Sequence, residues 1–180
     1  CACGGGGDPT APTLQPTTSA PTATSVPTQS PTQIDLTTGL RAAYCFDECV
    51  LYDEVGGGRA EIVNGATCVP GTGLEFDGVS DHAEIAPVEI GDQSTFAVWV
   101  RVDSLDAAWQ CICDFGDGWE DGSIRLFVDN DGALYFDIFV GSSQEQLYAP
   151  DAVEEGQWMH VVGTVESTTM KLYVVRAIED

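Results

Sequence analysis

Positive charge is what this 180-residue chain has least of: one lysine, Lys171, and five scattered arginines stand against 29 acidic residues, for a formal net charge of −23. A protein that grips a phosphate backbone neutralises it with Lys and Arg, so nucleic acid is excluded as a partner. The same field repels anionic membrane surfaces and acidic polymers, which leaves neutral glycans, cations and basic protein patches. No run of 18 or more apolar residues exists to span a bilayer as a helix, and no stretch shows a long helical period with caps. Two histidines and no Cys-x-x-Cys pair give no zinc pattern. The glycines at 4–7 lead into a Pro-rich coil rather than a helix, so they are no phosphate loop. No strand carries the closely spaced Glu and Asp of a two-carboxylate glycosidase; the nearest segment, "LYFDIFV", offers the lone Asp137. The chain reads as a protein that is not an enzyme.

Cysteine, by contrast, is plentiful. Seven in 180 residues suggest an oxidising compartment. If Cys1 is modified, the six that remain allow fifteen connectivities, and spacing does not choose among them. Cys49 with Cys68, closing a Gly-rich loop, is the first choice for a disulfide. Cys111 and Cys113, two apart on an expected strand, are expected to share a face and to seek different partners.

Residues 9 to 33 hold eight Thr, three Ser and six of the nine Pro, with no charge. Such a segment has almost nothing apolar to bury against its ordering entropy. Extended at about 3.1 Å per residue it reaches roughly 80 Å, a spacer whether bare or O-glycosylated. Ahead of it, "CACGGGG" resembles the mature start of bacterial lipoproteins, in which a lipidated Cys is followed by a short Gly or Ser tether. Cys1 or Cys3 fits that role, and the numbering favours Cys1. The division expected is an anchor segment at 1–8, a disordered Thr/Pro/Ser-rich linker at 9–38 and a folded domain at 39–180.

The folded part reads as strands. Phe96, Val98, Val100 and Val102 alternate along "TFAVWVRV", Ile124, Leu126 and Val128 along "SIRLFVD", and Leu134, Phe136 and Ile138 along "ALYFDIFV". "LRAAYCFD", "GLEFDG", "HAEIA", "WMHVVGTV" and "TMKLYVV" are read the same way. "DNDG" between two alternating runs is a hairpin signal. Many short strands separated by turns argue an all-β, antiparallel sandwich.

In order, "GLRAAYCFDE", "VNGATCVPGTGLEFDGVSDHAEI", "STFAVWVRVDSL", "WQCICDFGDG" and "GQWMHVVGTVESTTMKLYV" resemble the bacterial laminin G-like, concanavalin A-like jelly-roll domains of the pentraxin-related group, over about residues 39 to 175. The resemblance implies a jelly-roll sandwich, a buried Trp strand at Trp99, a structural role for His160 and, in related domains, one bound Ca²⁺. It departs at "KLYVVRAIED", where the family continues through further strands and an acidic pair. The reading therefore expects a domain truncated on that side, with an open sheet edge.

Calcium takes oxygen ligands from loop carboxylates and carbonyls. Asp77 and Asp81, which flank a turn, are the first candidates, with Asp47 and Glu48 at the end of the first expected strand and the cluster Asp114, Asp117, Glu120 and Asp121 after them; His82 is expected to be merely exposed. Trp109 and Trp119, in Gly- and Asp-rich surroundings, are the candidates for stacking on sugar rings. The function expected is a non-catalytic binding module on the bacterial cell surface, lipid-anchored, taking a glycan or an extracellular protein. The alternatives are a self-assembling subunit of a surface layer or filament, and a targeting module of a larger hydrolase.

Overall fold

The computed structural model describes residues 39–91, 93–116, 122–167 and 169–177. The lipidation candidate Cys1 and the stalk lie outside the described residues, as do Asp117, Trp119, Glu120 and Asp121. The chain divides into two compact units, one ending at Val88 and one beginning at Glu89.

The first unit holds a 3₁₀ turn, Phe46–Glu48, and four short strands, β1 (Glu61–Val63), β2 (Thr67–Val69), β3 (Gly73–Glu75) and β4 (His82–Glu84). Antiparallel pairs join β1 with β4 and β2 with β3. "LRAAYCFD" is not a strand: residues 40–45 are irregular and Phe46–Glu48 is the 3₁₀ turn. The reason is a side chain. The Asp53 carboxylate accepts the N–H of Ala43 at 2.8 Å, of Val55 at 3.0 Å and of Gly56 at 2.9 Å. These bonds, the Ala43 one foremost, hold its pKa below the usual carboxylate range. A backbone donor that a strand would use is thus taken by a carboxylate.

The expected disulfide is present. Cys49 and Cys68 are bonded, with Cα atoms 5.6 Å apart and a sequence separation of 19. Cys49 holds φ +55 as it leaves the 3₁₀ turn, and the bond ties that turn to β2. Closing a loop of this length is worth about 3 kcal/mol in chain entropy. Unfolding of the Cys49→Ser/Cys68→Ser variant, followed by urea titration, is expected to show the first unit losing about that much.

The second unit is a sandwich. One sheet runs β11-β10-β5 and the other β6-β7-β8-β9, all neighbours antiparallel; the strands are β5 (Gln93–Arg101), β6 (Gln110–Phe115), β7 (Ile124–Val128), β8 (Leu134–Val140), β9 (Ser143–Ala149), β10 (Trp158–Glu166) and β11 (Thr169–Arg176). The alternating residues read from the sequence are its filling. Ile124, Leu126, Val128, Leu134, Phe136 and Ile138 are buried, and Phe96, Val98 and Val100 pack against them. Met159 and Val161 of β10 complete the core from the facing sheet. "DNDG" is the β7–β8 turn, closed by Gly132 N–H to Asp129 O and Asp129 N–H to Ala133 O, both 3.0 Å.

Trp99, set opposite to Val98 and Val100 by the alternation, is half-exposed on the outer face of its sheet and stacks on His160 with ring centroids 4.9 Å apart. One expectation changes here. Cys111 and Cys113 do not share a face: the register slips from Cys111↔Phe127 to Cys113↔Leu126, a β-bulge. Cys113 packs against the core, where burial pushes its thiol up to about 12, while Cys111 is exposed on the outside.

Candidate functional site

The outer face of the four-stranded sheet carries side chains of two kinds, arranged in rows across the strands. Register sets the rows. Phe127 of β7 pairs with Tyr135 of β8, and Tyr135 with Tyr148 of β9. Two residues along, Asp114 pairs with Arg125, Arg125 with Asp137, and Asp137 with Gln146.

The first row is aromatic. Phe127 and Tyr135 stack in parallel with centroids 4.9 Å apart. Tyr148 joins at 5.0 Å from Tyr135, tilted by 46°. Trp109 closes the other end at 5.0 Å from Phe127 and 5.9 Å from Tyr135. The indole reaches there because Trp109 holds φ +60 just before β6, a left-handed conformation that non-glycine residues adopt rarely and that concentrates at functional positions. The row is open at its ends: Trp109 is 61% and Tyr148 52% exposed, while Phe127 between its neighbours is only 4% exposed. Across β6 to β9 the row covers three inter-strand steps, roughly 14 Å.

The second row is polar and closed. Asp137 is fully buried, and both of its oxygens are used: Gln144 Nε2 donates to one at 2.7 Å and Gln146 Nε2 to the other at 2.8 Å. Arg125 lies 3.6 Å from Asp137 and spreads over the rings of Phe127 and Phe139. Between the rows, at the Trp109 end, Trp109, Cys111, Asp114, Arg125 and Phe127 line a cavity of about 140 Å³. Burial pushes the Asp114 carboxyl up, with Arg125 opposing. Burial also pushes up the Cys111 thiol, with the Asp114 charge adding to it, so this cysteine is a thiol, not a thiolate, at neutral pH.

Of the residues singled out in the sequence, Trp109 falls in this face. Of the calcium candidates, Asp114 lines the cavity of this face, and Asp77, Asp81, Asp47 and Glu48 lie outside it. Asp77 Oδ1 accepts the N–H groups of Val79, Ser80 and Asp81 at 2.9 to 3.0 Å, which holds its pKa low, and Asp81 Oδ2 accepts the Asp77 N–H at 3.1 Å. Asp47 sits in the 3₁₀ turn, its carbonyl bonded to Gly71 N–H. Among the described residues no three His, Cys, Asp or Glu gather as a metal-holding group. His82 is exposed, paired with Glu84 at 3.4 Å.

This antiparallel sandwich with one patterned outer face has a counterpart among known families. The laminin G family model described as the concanavalin A-like lectin/glucanases superfamily matches residues 77–174. The chain belongs to this superfamily. Its members' common name spans sugar binders and sugar hydrolases, so the residues on the face must decide between the two. No curated protein matches the chain. Among solved structures it is similar to a segment, residues 221–444, of an S-layer domain-containing protein from Clostridium thermocellum, at 29% identity and a TM-score of 0.47, covering 78% of this chain and 71% of that one.

Phe127, Tyr135 and Tyr148 were not singled out in the sequence. The signal for them was there: two tight hairpins, at Asp129–Gly132 and between Val140 and Ser143, fix the register that aligns the three rings.

Proposed function

We propose that the outer face of the four-stranded sheet binds the sugar rings of an extracellular glycan. The domain is then a non-catalytic binding module, displayed at a bacterial surface by its Thr/Pro stalk and a lipidated Cys1. The observation that carries this reading is the aromatic row. The C–H face of a pyranose is apolar and packs on aromatic rings, while its hydroxyls need polar neighbours. Trp109 and Tyr148 offer the exposed rings, and the exposed Gln146 lies two residues from Tyr148 on the same face of β9.

Two further features agree. A glycosidase needs two carboxylates able to reach the scissile bond; of the two carboxylates described on this face, Asp114 is exposed, while Asp137 is buried and committed to Gln144, Gln146 and Arg125. The Cys49–Cys68 bond suits a protein that matures in an oxidising compartment.

Isothermal titration of the full chain against neutral oligosaccharides tests the reading. Trp109→Ala and Tyr148→Ala are each expected to weaken binding about fivefold with melting unchanged, an aromatic contact being worth about 1 kcal/mol. No reducing ends should be released. Equal binding by both variants would sink the proposal. Repeating the titration with Ca²⁺ and with chelator tests the calcium expectation; a difference would assign an ion to the acid-rich loops.

A second reading, self-assembly, draws on the other sheet. Its outer face exposes Trp99, Tyr173 and Val175, and β11 is an edge strand among the described residues. Concentration-dependent sedimentation, relieved by Tyr173→Glu, would favour it.

A further inference from the structure

We infer that the cavity at the Trp109 end of the aromatic row receives a protonated amino group, so that the glycan carries amino sugars with a free amine. The inference rests on the glycan reading and adds the class of sugar.

Charge accounting on this face leads there. Arg125 is 14% exposed, lies 3.6 Å from the buried Asp137 and is flanked by two phenyl rings; its charge already has a counterpart. Asp114 faces Arg125 across the strands and feels its charge, but makes no ion pair with it. Its side chain is exposed at the cavity wall, and among the described residues no donor makes a hydrogen bond or ion pair to its carboxylate. Among the described residues, two carboxylates against one guanidinium leave the site one charge negative, and the chain as a whole carries −23. A carboxylate with open acceptor positions beside an exposed indole and a phenyl ring is the environment that attracts an ammonium, through charge and through the ring faces. A neutral sugar leaves the Asp114 charge uncompensated. An acidic sugar is repelled by it and by the chain's field. Acetylation of the amine removes the charge that the site would read. A lysine side chain has the same ammonium, but it would leave the rest of the aromatic row, Tyr135 and Tyr148, uncovered; an oligosaccharide spans it.

The test uses the full chain and three oligosaccharides of one β-1,4 backbone: glucosamine, N-acetylglucosamine and glucose hexamers. The glucosamine hexamer is expected to bind about tenfold more tightly than the other two. Asp114→Asn should erase that preference while leaving the glucose hexamer's affinity in place, and Glu166→Gln, an exposed acid on the other sheet, should leave the preference intact. Folding of the Asn variant is not in question. Burial raises the folded-state pKa of Asp114, so the ionised carboxylate costs stability at neutral pH, and the neutral amide should melt no lower. Equal affinities for the three hexamers, with Trp109→Ala still weakening all of them, would overturn the inference and leave the glycan reading standing. Binding of hexamers that ignores Trp109→Ala, or none at all, would remove both. A preference that survives Asp114→Asn, or that Glu166→Gln abolishes equally, would show general attraction to an acidic chain. A lysine peptide that outcompetes the glucosamine hexamer in an Asp114-dependent way would overturn the sugar assignment.

Discussion

Phe136→Ala is expected to destabilise the second unit by about 3–5 kcal/mol, measured by urea unfolding with tryptophan fluorescence. Phe136 is 1% exposed at the centre of β8, and its ring presses on the backbone of Gly163 in the facing sheet. A Cβ built on Gly163 would stand 2.8 to 3.1 Å from three carbons of that ring. The two sheets meet here through a phenyl on one side and the absence of a side chain on the other. Truncating the phenyl therefore opens a cavity that nothing opposite can fill, which puts the cost at the upper end. Gly163→Ala alone should also destabilise, by about 1–3 kcal/mol of overpacking. Combined with Phe136→Ala, the added methyl has room, so the double variant should be more stable than the sum of the two losses. Strict additivity would show that the ring and the glycine are not coupled.

The second large effect concerns Asp137. Asp137→Ala is expected to cost about 2–3 kcal/mol, because it removes the fully buried carboxylate that lies 3.6 Å from the partly buried Arg125 guanidinium. It also removes the acceptors that align the exposed amides of Gln144 and Gln146, which then turn to water. Asp137→Asn keeps one acceptor oxygen and should lose less. A loss below 1 kcal/mol in the alanine variant, read from the same urea titration, would mean that solvent reaches Arg125 and replaces the carboxylate. The closed state of this row matters beyond stability, since it fixes Arg125 and so defines the wall of the cavity at Asp114.

The inward half of the sandwich was legible because burial on one face of a strand writes itself as alternation. Phe96, Val98 and Val100, like Leu134, Phe136 and Ile138, needed nothing else. Cys49 with Cys68 was also within reach. What escaped depended on partners distant in sequence. "LRAAYCFD" has the composition of a strand, but Asp53, ten residues beyond Ala43, takes its backbone donor. The bulge that parts Cys111 from Cys113 is a property of the β6–β7 pairing and leaves no mark in "QCICDF" itself. The site lay between these cases. Trp109 was conspicuous as a residue, whereas Phe127, Tyr135 and Tyr148 become a row only when register is counted through both hairpins. Asp77 and Asp81 also depend on local geometry: their spacing serves the turn they flank, where Asp77 Oδ1 and Asp81 Oδ2 cap backbone N–H groups.

The four-stranded sheet is a meander, each strand beside its sequence neighbours. Trp109, Asp114, Arg125, Phe127, Tyr135 and Tyr148 consequently belong to one uninterrupted passage of chain. The other sheet is different, since β5 finds β10 only across that whole passage, Arg101 opposite Trp158. An inheritable unit follows from this arrangement. A single recombination event bounded by β5 and β10 carries the entire recognition face with it and leaves the framing strands behind. New specificities can then arise by exchanging one cassette instead of by coordinated change at scattered loci.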